Sequence, residues 1–303
     1  MKNQLPKILV ILGSTAIGKS DVAVELALKL NGEIISADSR QVYKGLDIGT
    51  GKITASEMKG VPHHCLDIAD PHDRFTAMDW KAAAEVAIDD ILKRGKLPIV
   101  CGGTGFYITT LVDNLGFPEV EADTGEQKAL EEKPVEELFE MLKKLDPQRA
   151  LTIDLKNKRR LSRSIIIAKK LGSVPPVTKP LEPKYDAVMV GLTMSNTQLK
   201  NRIFDRLVKR LQNGMVDEAR KLVAPAPEGL ALPYERLDEL GLEYRYLALY
   251  LQNKFTMEHL IDELSTKIWQ YAKRQITWFK KDKRIVWLEQ PVKLDEIVKL
   301  VQG

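Results

Sequence analysis

Residues 8–20 have the sequence ILVILGSTAIGKS, and this stretch decides the fold class. The run from Ile8 to Leu12 is wholly apolar and stops at Gly13, which is typical of a fully buried strand, and helical spacing follows over residues 20–30. Between them lies the P-loop pattern GxxxxGK followed by Ser, in the strand-to-helix context that this motif requires. A strand, a glycine loop and a helix in this order predict the opening of a parallel α/β sheet.

The P-loop pattern predicts an anion-binding site. Its glycines let backbone N–H groups turn onto an anion, the helix N-terminus adds positive potential, and Lys19 supplies a charge for the outer phosphates. The Ser20 hydroxyl is a candidate ligand of Mg²⁺. The predicted diphosphate- or nucleotide-binding residues are Gly13, Ser14, Thr15, Ala16, Ile17, Gly18, Lys19 and Ser20. We therefore expect a substrate that carries a pyrophosphate or a triphosphate.

Three further apolar runs predict strands, at residues 33–37, 97–101 and 185–192, and a helical stretch covers residues 77–93. Strands separated by helices indicate a doubly wound parallel sheet with right-handed crossovers. Beyond residue 192 the pattern is helical, over residues 196–223 and 236–281. The expected fold is thus a P-loop NTPase-like parallel sheet with flanking helices and a helical C-terminal region.

A short helical insertion is expected at residues 118–145, where the composition turns acidic and helical. Such a stretch suits an appended lid better than another strand-helix unit. The α/β core would then consist of residues 1–117 and 146–303, with residues 118–145 as a lid or appendage.

Composition limits the function classes. A net charge of +4 from 46 basic and 42 acidic residues is mild, so nucleic-acid contacts must come from local clusters. The only cysteines, Cys65 and Cys101, form no CxxC pair, which favours a reducing compartment and disfavours a structural zinc site. The apolar run at residues 8–12 is far shorter than the roughly 20 residues of a membrane span. We therefore expect a cytoplasmic protein with no membrane partner.

Two polar residues follow predicted strands at the edge where a ligand would bind. Asp38 comes after the second strand, and Thr104 lies in the glycine-rich turn CGGTGFY at residues 101–107. Side chains at the carboxyl ends of parallel strands point into one cleft, and a carboxylate beside a phosphate site can serve as a base or a Mg²⁺ ligand. Asp38 and Ser39 could equally act as helix caps.

Two segments are rich in basic residues. Residues 156–170 contain no acidic residue, and helical spacing brings Arg159, Arg160 and Arg163 together. Residues 267–284 interleave aromatic residues with seven basic residues and one acidic residue, which suits phosphate contacts combined with base stacking. The same segment is also compatible with an amphipathic helix that buries Trp269 and Phe279 and leaves its lysines in water.

Several blocks of sequence resemble the tRNA dimethylallyltransferase family, also called tRNA isopentenyltransferases. They are GSTAIGKS at 13–20, IISADSRQVYKGLDIGTGK at 34–52, VPHHCLDI at 61–68, CGGTGFYI at 101–108 and YAKRQITWF at 271–279. The resemblance implies a Mg²⁺-dependent transferase that holds dimethylallyl diphosphate in the P-loop. It would move the prenyl group to the exocyclic amine of the adenosine 3′-adjacent to the anticodon, in tRNAs reading U-initial codons. The implied partners are dimethylallyl diphosphate and a tRNA anticodon stem-loop, and the protein is expected to be a monomer.

The resemblance also implies roles for individual residues. Asp38 would be the general base for the amine, Thr104 would lie beside the reacting centre, and Arg206 would contact the pyrophosphate. From spacing alone, Arg206 could instead be a solvated helix residue that shares a face with Arg202. The implied tRNA-binding residues are Asp38, Ser39, Arg40, Gln41, Thr104, Arg159, Arg160, Leu161, Ser162, Arg163, Lys273, Arg274 and Gln275.

Three other functions remain open from the sequence. A transferase that prenylates free AMP or ATP, as cytokinin-making enzymes do, would have less use for the basic segments near residues 160 and 275. A P-loop small-molecule kinase shares the opening strand, loop and helix but leaves Asp38 and the residues after it unexplained. An idle RNA-binding protein would not need the intact set of Lys19, Asp38, Thr104 and Arg206.

Overall fold

The computed structural model describes residues 5–116, 120, 124–175, 181–225 and 231–303. Within these residues, no helix has both the length and the apolar character needed to cross a bilayer. In chain order the elements are β1 Lys7–Gly13, α1 Lys19–Leu30, β2 Gly32–Ala37, α2 Ala55–Met58, β3 His63–His64, α3 Ala77–Lys93, β4 Leu97–Gly102, α4 Gly105–Val112, α5 Thr124–Glu131, α6 Val135–Leu145, α7 Pro147–Thr152, α8 Lys158–Leu171, β5 Asp186–Thr193, α9 Asn196–Gln212, α10 Met215–Val223, α11 Tyr234–Leu240, α12 Leu242–Leu251, α13 Met257–Phe279, β6 Val286–Glu289 and α14 Leu294–Gln302.

The sheet of the described residues has the order β3-β2-β4-β1-β5-β6, and every pair is parallel. The four strands predicted from apolar runs are confirmed as β1, β2, β4 and β5. The sequence analysis missed β3 and β6, because two and four residues with polar or charged neighbours give no recognisable apolar run. The predicted parallel α/β fold with a P-loop is confirmed.

β1 lies at the centre of this sheet, between β4 and β5. Each of its residues from Ile8 to Leu12 has no exposed surface, as expected for a strand covered by helices on both faces. Its last residue, Gly13, has φ 147°, and a Cβ there would lie 2.9 Å from the carbonyl oxygen of Leu192 on β5. Only glycine therefore lets the chain turn from β1 into the P-loop at this point.

The helical regions predicted after residue 192 contain breaks at glycines. The predicted helix 196–223 is divided into α9 and α10 at Gly214, whose φ is 94°. The predicted helix 236–281 is three helices, and Gly241, with φ 92°, separates the first two. A backbone at positive φ cannot continue a right-handed helix, so each break changes the direction of the chain.

The chain forms two compact units, Met1–Val112 with Pro183–Gly303, and Asp113–Glu182. The second unit is longer than the insertion predicted at residues 118–145, because α7 and α8 belong to it. On α6, Leu138 and Leu142 have no exposed surface, and they share a core with Leu161 and Ile165 of α8. The apolar stripe of a short amphipathic helix needs such a partner, and the basic segment of α8 supplies it.

Glu33 is a buried carboxylate in β2, with 1% of its surface exposed. It accepts hydrogen bonds from Arg94 Nη2 at 2.7 Å and Lys96 Nζ at 2.8 Å, and His64 Nε2 lies 2.8 Å away. These partners, Arg94 above all, hold the pKa of Glu33 far below its usual range. The cluster lies near the start of β2, at the edge of the sheet opposite the P-loop.

We predict that Glu33→Gln lowers the free energy of unfolding by about 2–3 kcal/mol at pH 7, because it removes the buried counter-charge of Arg94 and Lys96; the partial exposure of both cations keeps this below the full buried-pair value. The folded-state pKa lies below the ordinary value of 4.5, so the stabilisation is present above pH 4.5 and is lost as the pH falls towards the folded-state pKa. Urea unfolding of both proteins at several pH values measures this.

The matched control is Glu137→Gln, which removes an exposed i,i+4 pair with Lys133. We expect this variant to unfold close to the wild-type midpoint at every pH. Equal destabilisation by both substitutions would contradict the assignment of a structural role to Glu33.

Candidate active site

The lysine of the P-loop, Lys19, is hydrogen-bonded to the backbone of the same loop. Lys19 Nζ donates to the carbonyl oxygen of Ser14 at 2.7 Å, so the side chain folds back over the loop. Burial lowers the pKa of Lys19 to about 8; Cys101 and Asp38 act in the opposite direction, and Arg206 lowers it further. A bound anion would favour the charged form, so the loop is suited to a polyphosphate.

The hydroxyl of Ser14 is a further unusual feature of the loop. Ser14 has no exposed surface, and within the described residues its Oγ has no hydrogen-bond partner. A buried hydroxyl without a partner is costly, so it is the kind of group found where a ligand completes a site. The α1 helix begins directly after the loop, at Lys19, and its N-terminus adds positive potential.

The order β2-β4-β1 brings the ends of three strands together at the P-loop. Asp38 follows β2, and its Oδ1 accepts from the backbone N–H of Arg40 at 2.8 Å and of Gln41 at 3.4 Å. Among the described residues no donor contacts the second oxygen, Oδ2. Asp38 thus makes a local turn, as the capping alternative requires, and it keeps its second oxygen available. Its charge raises the pKa of Lys19.

Thr104 is bonded to the residues on either side of Asp38. Its Oγ1 accepts from the backbone N–H of Ser39 at 3.0 Å, and its own N–H donates to the carbonyl oxygen of Ala37 at 3.1 Å. The turn after β4 is therefore bonded directly to the turn after β2. The hydroxyl proton of Thr104 is not consumed by these bonds and can be donated to a substrate.

Three arginines on α9 line the site from one helix face, since they are four residues apart. All donate to backbone carbonyl oxygens: Arg202 to Ile17 at 3.2 Å, Arg206 to Gly51 at 3.1 Å and Arg210 to Gly49 at 2.7 Å. Burial and Arg210 lower the pKa of Arg206, while Glu243, Asp38 and Asp21 oppose this. Arg206 is exposed to solvent, as the alternative of a solvated helix residue requires, but its guanidinium also lies against Gly51 in the loop at residues 47–52.

The loop at residues 47–52 is held by residues that the sequence analysis missed. The Glu218 carboxylate accepts from three consecutive backbone N–H groups, those of Asp47 at 3.0 Å, Ile48 at 2.6 Å and Gly49 at 2.8 Å. Tyr244 donates its hydroxyl to the same carboxylate at 2.6 Å. No pattern in the sequence could indicate this, because Glu218 lies about 170 residues from the loop.

Gln275 on α13 connects two turns of the site. Its Oε1 accepts from the backbone N–H of Thr15 at 2.8 Å, and its Nε2 donates to the carbonyl oxygen of Gly103 at 2.8 Å. One helical turn earlier, burial above all and then the charge of Asp38 raise the pKa of Tyr271. The sequence analysis assigned neither residue to the P-loop.

The outer face of α13 is basic and aromatic. Lys273 and Arg274 are exposed, and Trp278 is 42% exposed. An open groove of about 530 Å³ runs along this face, lined by Gln270, Lys273, Arg274, Thr277, Trp278 and Lys281. The opposite face buries Ile268, Ala272 and Phe279. The segment is therefore an amphipathic helix, and the role of its exposed basic and aromatic face in RNA contact stays a prediction.

The predicted basic cluster on α8 divides between surface and core. Arg159 and Arg160 are exposed, but Leu161 and Ser162 have no exposed surface. Arg163 is half-buried and donates to the carbonyl oxygen of Val120. Only the arginines of this segment can meet a ligand without opening the helix packing.

The remaining predicted contact residues surround Asp38. The guanidinium of Arg40 lies against Gly241, where a Cβ would be 2.9 Å from Nη2. The amide of Gln41 accepts from Ser36 Oγ at 3.2 Å and lies 3.4 Å from the carbonyl oxygen of Gly51. These residues build the wall between the turn after β2 and the loop at residues 47–52.

The residues present fit a divalent cation that is shared with a diphosphate. The described residues contain no group of three or more His, Cys, Asp or Glu side chains that could hold a metal alone. However, Ser20 and Asp21 are exposed at the start of α1 and would supply a hydroxyl and a carboxylate oxygen. Mg²⁺ prefers oxygen ligands and is commonly held by one or two carboxylates together with substrate phosphates.

Comparison with known proteins identifies the family of this chain. The family model described as IPP transferase matches residues 41–282. The chain is 36% identical to the tRNA dimethylallyltransferase of Anoxybacillus flavithermus, over 98% of this chain and 96% of that protein. It is 41% identical to tRNA dimethylallyltransferase 1 of Geotalea uraniireducens, over 93% of this chain and 92% of that protein.

Solved structures agree with these sequence comparisons. The tRNA isopentenylpyrophosphate transferase of Bacillus halodurans has a TM-score of 0.71 at 35% identity and covers 98% of this chain and 97% of its own. A eukaryotic dimethylallyltransferase acting on tRNA has a TM-score of 0.79 at 29% identity, over 94% of this chain and 74% of its own. This chain therefore belongs to the IPP transferase family and is a prenyl transferase.

Proposed function

We propose that this protein transfers a dimethylallyl group from dimethylallyl diphosphate to the exocyclic amine of the adenosine 3′-adjacent to the anticodon, in tRNAs reading U-initial codons, with release of diphosphate. The observation that carries the proposal is the cleft that joins an anion-binding loop to a carboxylate. Asp38 lies close enough to Lys19 for its charge to raise the pKa of that lysine. The names of the relatives, tRNA dimethylallyltransferases, support the substrate class.

The chemistry requires an anion to leave while a proton is removed. The bond between the allylic carbon and the diphosphate oxygen breaks, and a bond from that carbon to the adenine nitrogen forms. Lys19 and Arg206 stabilise the negative charge that develops on the diphosphate. Asp38 Oδ2 accepts the proton that the amine loses, while the backbone N–H groups on Oδ1 hold the carboxylate in place.

Thr104 is proposed to orient the reacting groups. Its hydroxyl accepts from Ser39 N–H and retains a proton that can be donated to the substrate. Positioning of two reactants in one cleft supplies a large part of the acceleration in a bimolecular transfer. Mg²⁺ is the proposed cofactor, which would neutralise diphosphate charge beside Ser20 and Asp21.

A tRNA acceptor requires a surface that grips RNA outside the cleft. An adenine inside a helix is inaccessible, so the target base must leave its stack and enter the site. The exposed Lys273, Arg274 and Trp278 offer phosphate contacts and a stacking surface. Arg159 and Arg160 offer further cations. The two cysteines are free and buried, which suits the reducing cytoplasm that we propose for the protein.

We expect label from radiolabelled dimethylallyl diphosphate to appear in an unmodified tRNA that reads U-initial codons. A prenyl transferase that uses free adenylates would label AMP or ATP instead, so the assay contains both acceptors in competition. A kinase would move phosphate from γ-labelled ATP and leave the prenyl label untransferred. Absence of label in RNA, with or without label in AMP, would refute the proposed acceptor.

We expect Asp38→Asn to lower kcat by a factor of about 10²–10⁴, because the amide cannot take the proton from the amine. The substitution keeps the size of the side chain and an acceptor oxygen for the N–H groups of Arg40 and Gln41. The affinity for tRNA should therefore stay within about twofold of the wild-type value. Single-turnover transfer and RNA binding assays measure the two effects separately.

The control for this substitution is Asp217→Asn, an exposed carboxylate on α10 that pairs with Arg220. Its transfer rate should equal that of the wild type. Unaltered turnover in Asp38→Asn would remove Asp38 from the role of base.

We expect the affinity for inorganic pyrophosphate to fall as the pH rises above about 8, because Lys19 then loses its proton in the free protein. If only the protonated lysine binds, the association constant declines by up to about tenfold per pH unit. Calorimetry between pH 7 and pH 10 measures this decline. Lys19→Met provides the reference, since the ligand ionises identically in both titrations. A constant ratio of the two affinities across this pH range would contradict the role of Lys19.

A further inference from the structure

Gln275 is a buried residue in the helix that presents the RNA-facing surface. Only 6% of its surface is exposed, although its sequence neighbours Lys273 and Arg274 are open to solvent. Both ends of its amide are used: Oε1 accepts from Thr15 N–H, and Nε2 donates to the Gly103 carbonyl, each at 2.8 Å. Because this amide is buried and bonded at both ends, it is poorly placed for a direct contact with RNA.

The turn after β4 is shaped to receive this amide. A Cβ at Gly103 would lie 2.3 Å from Gln275 Nε2 and 3.3 Å from the carbonyl oxygen of Gly13. A Cβ at Gly105 would lie 2.3 Å from Trp278 Cδ1. Two glycines therefore let α13 approach this turn at contact distance, and any side chain at Gly103 would push Gln275 away.

The bond to Thr15 engages the anion-binding loop itself. P-loops hold phosphate groups through their backbone N–H groups, and Thr15 N–H belongs to that loop. Here one such N–H is held by a helix that lies 260 residues further along the chain. The position of the P-loop, and so of the N–H groups and Lys19 that follow Thr15, depends on the position of α13.

The same helix carries the exposed side chains proposed to contact RNA. Lys273 and Arg274 immediately precede Gln275, and Trp278 follows it by three residues. A rigid helix transmits a displacement at one face to the other, because its backbone is hydrogen-bonded throughout. RNA that fixes the outer face of α13 also fixes the Gln275 amide, and with it the loop.

We propose that Gln275 is a positioning residue that couples the two substrates, so that RNA bound on α13 strengthens diphosphate binding in the P-loop. This inference rests on the proposed function, since it needs tRNA and an allylic diphosphate to occupy the same protein. Coupling between two binding sites is reciprocal, so diphosphate must strengthen RNA binding by the same factor. Gln275 touches neither reacting atom, and it acts through Thr15 and Gly103.

The test compares pyrophosphate affinity with and without an unmodified tRNA anticodon stem-loop. In the wild type we expect the RNA to lower the dissociation constant of pyrophosphate by roughly fivefold or more. In Gln275→Met, which keeps the length but loses both hydrogen bonds, this ratio should fall to about one. The KM for dimethylallyl diphosphate should rise, while kcat at saturating substrate and the affinity for RNA alone should change little.

Gly103→Ala gives a second route to the same displacement and covers the case in which Gln275→Met is poorly folded. If both variants act through one contact, the double variant should be no worse than either single one. The control is Gln252→Met, at the residue that follows α12, whose side-chain amide donates to Ala248 of that helix at 3.1 Å. The control should retain the wild-type coupling ratio.

Two results overturn the inference. One is a wild-type ratio of one, and the other is an unchanged ratio in Gln275→Met and Gly103→Ala. These outcomes differ from failure of the proposed function, which would appear as absence of prenyl transfer to tRNA by the wild type. A wild type that labels tRNA but shows no coupling would leave the function standing and remove only the role of Gln275.

Discussion

The central position of β1 is the constraint on which the rest of the structure depends. Hydrogen bonds to β4 on one side and β5 on the other fix the strand, and its residues from Ile8 to Leu12 are fully buried. The chain can leave the sheet only where Gly13 accommodates the carbonyl of Leu192. The P-loop therefore emerges at one defined point, next to the turns that carry Asp38 and Thr104.

The charges in the cleft suit the diphosphate substrate that we propose. Burial and the charge of Arg206 lower the pKa of Lys19, which means that the protein keeps these two cations together at a cost in the free state. The Asp38 carboxylate partly compensates for them. In the proposed reaction, the negative charge of the diphosphate would compensate the two cations in place of Asp38. The Asp38 carboxylate would then be free to accept a proton.

The helices after β5 provide side chains that hold the loops of the site in place. Backbone loops hold no fixed shape without partners, and here Glu218 and Tyr244 hold the loop at residues 47–52, while Arg210 bonds to one of its carbonyls. Gln275 does the same for the P-loop and the turn after β4. Each partner comes from a distant part of the chain, so the site exists only when both halves of the first unit have folded together.

The sequence by itself determined the parallel α/β fold, the P-loop and the placement of Asp38 and Thr104 beside it, because apolar runs and glycine spacing are local signals that survive without tertiary context. It also determined the family, through blocks such as residues 34–52. It did not determine β3, β6, the helix breaks at Gly214 and Gly241, or the extent of the second unit, since short strands and helix packing depend on distant neighbours. Only the tertiary structure decided that Leu161, Ser162 and Gln275 are buried and that Glu218 holds a loop. A side chain's surroundings are set by elements far away in sequence, which no local pattern can record.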